Sequence, residues 1–112
     1  MRTAALLVAL LLAGCLGSGA AIKISHDGLA TADKRVSAPC EAGAELRIRE
    51  ASIEQGTVRI EVTDGDGGIR YDRTFAPGDS GETLPLTGAA GDWTLTLEGR
   101  FSGTVSAMLR CD

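Results

Sequence analysis

Few residues in this chain have types and spacing that could do chemistry. Gly78-Asp79-Ser80-Gly81 sets a serine among small neighbours, as an acyl-transfer nucleophile would be set. Such a serine needs a histidine base, a buried carboxylate behind it and an oxyanion hole beside it. The chain holds one histidine, His26, in an expected turn with Asp27. That pair could bind a metal, but two ligands do not make a metal site. Asp64-x-Asp66 has the opening spacing of a calcium loop, yet the fifth and twelfth positions, where oxygen ligands belong, are Gly68 and Phe75. Trp93 and Tyr71 are the aromatics that could stack on a sugar, but both share parity with aliphatic neighbours, which favours the core. Glu98 and Asp92 show no acid/base arrangement. The expectation is no catalytic residue, no metal and no cofactor. Residues 78–81 are then a loop, and 64–68 a solvated hairpin turn.

A different chemistry is suggested near the start. Arg2 precedes an apolar run from Ala4 to Leu12, which ends in Ala13-Gly14-Cys15. This is the layout of a secretory signal peptide. The run is far shorter than the roughly 20 apolar residues that a membrane-spanning helix needs. Leu12-Ala13-Gly14-Cys15 resembles the lipobox of bacterial lipoproteins. The resemblance implies cleavage after Gly14, a diacylglyceryl thioether on Cys15 and a mature chain that begins at this cysteine. It also implies an envelope location, with the outer membrane favoured in a diderm host because Leu16 follows the cysteine. Removing residues 1–14 removes Arg2 alone among the charges and moves the net charge from −4 to −5. With Cys15 assigned to lipid, Cys40 and Cys111 remain as an even pair in an oxidising compartment and are expected to form a disulfide.

Size and charge narrow the rest. Residues 15–112 suffice for one domain with one core. An acidic chain without a basic stripe is a poor partner for nucleic acid. The same balance speaks against electrostatic attachment to anionic lipid, which leaves the covalent lipid as the anchor.

The elements that must position these residues are strands. Residues 15–20 are small and flexible and read as a tether, with the β domain spanning 21–112. Ile22 and Ile24 suggest a first strand before a turn at Asp27-Gly28, and Arg35-Val36 belong to a second that leads to Cys40. Leu46 and Ile48 alternate with arginines before the apolar parity slips to Ala51 and Ile53, which predicts a β-bulge near Glu50. Gln55-Gly56 reads as a turn. Val58, Ile60 and Val62 then alternate cleanly with polar residues, and a hairpin loop, Asp64 to Gly68, leads to Ile69, Tyr71, Arg73 and Phe75. Pro85 confines Leu84-Leu86 to a sheet edge. Trp93, Leu95 and Leu97 form another strand. After Gly99, Phe101, Val105, Ala107, Leu109 and Cys111 share a parity. Short strands with Gly and Asp turns predict an all-β protein, an antiparallel β-sandwich of jelly-roll or Ig-like type with seven to eight strands.

Gly43-Ala44-Glu45-Leu46, Gly56-Thr57-Val58-Arg59-Ile60, Thr63-Asp64-Gly65-Asp66-Gly67, Gly91-Asp92-Trp93-Thr94-Leu95 and Phe101-Ser102-Gly103-Thr104-Val105 together resemble bacterial pre-peptidase C-terminal and GOLD-type domains. That resemblance implies an accessory, non-catalytic module and carries over no site residue. The expected function is a lipid-anchored binding or structural module whose partner is another envelope protein or a glycan. One alternative is a carbohydrate-binding module, which an exposed Trp93 beside Tyr71 would favour. Another is a small protease or hydrolase inhibitor that uses the loop from Ala76 to Thr83.

Overall fold

The computed structural model describes residues 19–111 and contains five strands, all antiparallel. They are β1 (Gly19–Cys40), β2 (Gly43–Thr63), β3 (Ile69–Phe75), β4 (Thr83–Thr87) and β5 (Gly91–Cys111). The sheet order is β1-β5-β2-β3, and β4 also pairs with β2. Cys15 and the signal segment lie outside the described residues.

Three of the strands have 21 or 22 residues. If straight, the ends of β5 would stand about 66 Å apart, at about 3.3 Å per residue. They do not. Gly91, the first residue of β5, pairs with Cys40, and Cys40 is disulfide-bonded to Cys111, the last, with their Cα atoms 5.1 Å apart. The sheet is therefore folded over on itself. The ladders slip where it folds, between His26 and Ala30 in β1 and between Ile53 and Gln55 in β2. Gly56, Gly99 and Gly103 sit at the same level with φ of 84°, 155° and 122°.

The fold-over divides the sheet into two layers. Layer I carries the first arm of β1, the last arm of β5, the first arm of β2, and β4. Layer II carries the second arm of β1, the first arm of β5, the second arm of β2, and β3. Four arms per layer, with the long strands passing from one to the other, is the wiring of a jelly roll. The strand count is five, not seven to eight. Gln55-Gly56 and Gly99 do not reverse or end the chain; bulges and left-handed glycines bend it while the ladder continues. Asp27-Gly28 likewise lies within β1. The bulge expected near Glu50 is present, with the register slipping between Ile48 and Glu50. Gly19 and Ala20, expected in the tether, already pair with Arg110 and Leu109, because a ladder needs backbone and not large side chains.

One core lies between the layers. Layer II contributes Val58, Ile60, Val62, Phe75, Trp93, Leu95, Leu97 and Phe101, and layer I contributes Leu46, Ile48, Val105, Ala107 and Leu109. Each set follows the period-two alternation of its strand. Pro85 lies on edge strand β4 as expected, because β4 pairs only with β2. The other long edge, β1, has Lys34 exposed at an inward parity between Ala32 and Val36. A charge at such a position discourages edge-to-edge pairing.

Candidate functional site

The fold separates the residues with catalytic potential. Ser80 is exposed in the loop after β3, while His26 lies on β1, and the sheet places β5 and β2 between them. His26 Nδ1 meets the Phe101 carbonyl at 3.4 Å, and its ring packs 5.2 Å from that of Phe101. Among the described residues, no group of three or more His, Cys, Asp or Glu side chains converges on a metal position. The loop holding Ser80 is drawn onto the sheet. Asp79 accepts the Ala76 N–H at 2.8 Å, Ile48 donates its N–H to Glu82 O at 2.7 Å, and the Gly81 backbone packs against the Ile48 carbonyl. These contacts hold the base of the loop, and its tip, Pro77, Gly78 and Ser80, is exposed.

The sugar platform is also taken apart. Trp93 is fully buried, and its indole N–H donates to Ala89 O at 2.8 Å. Tyr71 is half-buried on the inward row of β3 and donates its hydroxyl to Glu82 Oε2. Arg73 Nη1 donates to the same oxygen at 3.0 Å, and its guanidinium lies 4.4 Å from the centre of the Phe75 ring. Burial, and then the Glu82 carboxylate, push the Tyr71 phenol up, whereas hydrogen bonds from Tyr71 and Arg73 hold the Glu82 carboxyl down. The cluster closes the β3–β4 side of the core with polar groups that satisfy one another.

The role of Asp64 differs from the one its spacing suggested. The expected hairpin turn is present with Gly65, Asp66 and Gly67 exposed, but Asp64 itself is 3% exposed. Its Oδ1 accepts N–H groups of Asp66 at 3.0 Å and Gly68 at 2.9 Å. Its Oδ2 accepts the Ala89 N–H at 2.9 Å and the Arg70 Nε–H at 3.0 Å. The Ala89 bond, followed by those of Gly68 and Asp66 and the Arg70 charge, lowers its pKa to about 2 against the opposing pull of burial. Four donors fill the lone pairs that a cation would need, so Asp64 is a tie between backbones and not a calcium ligand. Asp66 is exposed at the hairpin tip.

Asp64 organises one end of the sandwich. It joins the β2–β3 turn to the β4–β5 crossing, where Gly65 N–H also donates to Ala89 O at 3.0 Å. Gly88 N–H donates to Ala42 O at 3.0 Å and so ties in the β1–β2 crossing. Cys40–Cys111 bridges layer II to layer I at this same end. Gly19, the first described residue, pairs with Arg110 beside it. A sequence signal for Asp64 did exist, since an aspartate that ends a strand and is followed by Gly-x-Gly-Gly favours bonding to its own turn. Its partner Ala89 lies 25 residues away.

The outer faces carry the remaining charge. On layer II, Arg59 is engaged by Asp72 at 2.8 Å, Glu61 at 2.9 Å and Glu98 at 3.5 Å. The Asp72 bond raises the already high Arg59 pKa further and lowers that of Asp72. On layer I, Lys23, Arg49, Glu50 and Ser106 line a depression of about 590 Å³. No protein-family model matches the chain, and comparison with curated proteins finds no relative.

Proposed function

We propose that the chain is a lipid-anchored envelope protein in which Cys15 carries the lipid and the sandwich serves as a non-catalytic binding or structural module. One observation carries this reading. Cys40 and Cys111 are bonded to each other, and the third cysteine of the sequence, Cys15, stands directly behind Leu12-Ala13-Gly14. A disulfide at the open end also suits an oxidising compartment outside the cytoplasm. The non-catalytic part of the reading is supported by the separation of Ser80 from His26 and by the mutual satisfaction of the Tyr71, Arg73 and Glu82 groups. Burial of Trp93 speaks against a sugar platform, so the partner of this module is another envelope component that recognises an outer face. Globomycin, which blocks lipoprotein signal cleavage, tests the reading. Treated cells should accumulate the chain with residues 1–14 still attached, and normal processing in its presence would refute the anchor.

A further inference from the structure

The cations of the layer I outer face gather in the half nearest Gly19, a pattern that a single net charge for the chain conceals. On layer I the register sets Arg110 beside Gly19 and Glu45, Met108 beside Ala21 and Arg47, and Ser106 beside Lys23 and Glu50. The bulge at Ile48/Glu50 leaves both Arg49 and Glu50 exposed. The half of this face nearest Gly19 therefore presents Lys23, Arg47, Arg49 and Arg110 against Glu45 and Glu50, and Asp27 and Glu54 balance them towards the bent end. Of the four cations, only Arg47 is in an ion pair among the described residues, with Glu45 at 2.6 Å. Layer II presents Asp33, Glu61, Asp72, Asp92 and Glu98 against Arg35, Arg59, Arg70 and Arg100, and there Arg59 is surrounded by carboxylates.

The cations also lie nearest the tether. Gly19 is four residues after Cys15, so it can stand no more than about 14 Å from the lipidated residue. Lys23, Arg47, Arg49 and Arg110 occupy the rows that start there, while Asp27 and Glu54 lie towards the bent end, around a separate polar depression that they share with Ser25, Ser52 and Thr104. The open end itself carries the exposed acids Glu41, Asp66 and Asp92, which would be repelled by an anionic surface approached end-on. We propose that the outer face of layer I lies on anionic phospholipid headgroups beside the anchor, with Lys23 and Arg49 taking a headgroup phosphate in the depression they line. The inference rests on the lipid-anchor reading, because the short tether brings the face to the bilayer. Its strength must fall with salt, since screening shortens the reach of surface charge.

The chain contains two lysines, Lys23 on this face and Lys34 exposed on the layer II arm of β1. They give the test an internal control. The full processed protein, purified from membranes with its lipid, is placed in vesicles of phosphatidylcholine alone or mixed with phosphatidylglycerol and pulsed with an amine-reactive reagent. Labelling of Lys23 should fall about threefold or more on the phosphatidylglycerol vesicles, recover in about 0.5 M salt, and be insensitive to vesicle charge in R49E/R110E. Lys34 should label equally throughout. Equal Lys23 labelling on both vesicles overturns the proposal. So does protection that ignores vesicle charge, or protection found only in native membranes, which would indicate a protein occupant. The intact mass of the same sample separates the two readings. A chain without acyl mass refutes the anchor, whereas an acylated chain with Lys23 unprotected refutes the docking alone.

Discussion

At the bent end of the sandwich the chain passes between layers three times without breaking a ladder, and backbone geometry alone accomplishes this. At the open end three separate connections are drawn together, and side-chain chemistry does it, through one carboxylate and one disulfide. The bent end needs glycine because other backbone occupies the space of a side chain. A Cβ on Gly103 would collide with the Ser52 carbonyl oxygen, and one on Gly56 would collide with that of Arg100. The open end needs Asp64 because the turn at 64–68 and the crossing at 88–90 bring the part-buried N–H groups of Asp66, Gly68 and Ala89 to one place, and such donors need partners. Close backbone packing thus occurs at both ends, at Gly56 and Gly103 and at Gly65 and Gly91, and the open end adds the Asp64 bonds and the disulfide to it. The bonded end is also where the described chain begins, at Gly19.

If that division is correct, the largest loss should come from the open end. Removing the disulfide with C40A/C111A should cost about 4 kcal/mol by loop entropy, or about 20 °C in Tm. Thermal melts of the oxidised protein and the variant, read by far-ultraviolet circular dichroism, check this. A change of a degree or two would show that the layers hold together without the bridge.

Asp64→Asn should come next, with a fall in Tm on the order of 10 °C, because an amide turns donors towards the Ala89 N–H and Arg70. The pH dependence has a definite sign. Asp64 is held at about 2, below its ordinary 3.8, so its stabilisation is complete above about pH 4 and is lost as pH falls from there towards 2. Acid titration of wild type should show that loss, and the D64N variant should flatten it. An identical acid limb in both proteins would remove Asp64 from its assigned role.

Gly103→Ala should cost least of the three, about 2 kcal/mol, through strain at a φ of 122° and contact with the Ser52 carbonyl. Chemical denaturation gives the number. An alanine accepted without loss would mean that the bent end is looser than its backbone contacts indicate.

The strands that pack the core are legible in the sequence because burial imposes a period of two. Val58-Ile60-Val62 and Trp93-Leu95-Leu97 state their inward faces directly, and the slip from Ile48 to Ala51 discloses a bulge. The corners are not legible, for a physical reason. Gly56 and Gly99 signal backbone freedom, and the same freedom serves a chain reversal or a bend within one strand. Which of the two occurs depends on a neighbouring strand that local sequence does not name. Asp64 is hidden similarly, since its acceptor role is completed by a backbone N–H supplied from between β4 and β5. The gathering of cations on one half of the layer I face is invisible for the same cause. Lys23, Arg49 and Arg110 become one surface only after β1, β2 and β5 are set in register.

The proposed anchor holds this sandwich at a membrane through Cys15. The most direct measurement is the intact mass of the mature chain extracted from membranes, with fragmentation to localise any modification. A chain beginning at Cys15 with acyl mass on that residue, and absent from C15A, is the predicted result. A membrane-extracted chain whose Cys15 is unmodified, or has been removed with the leader, would contradict it.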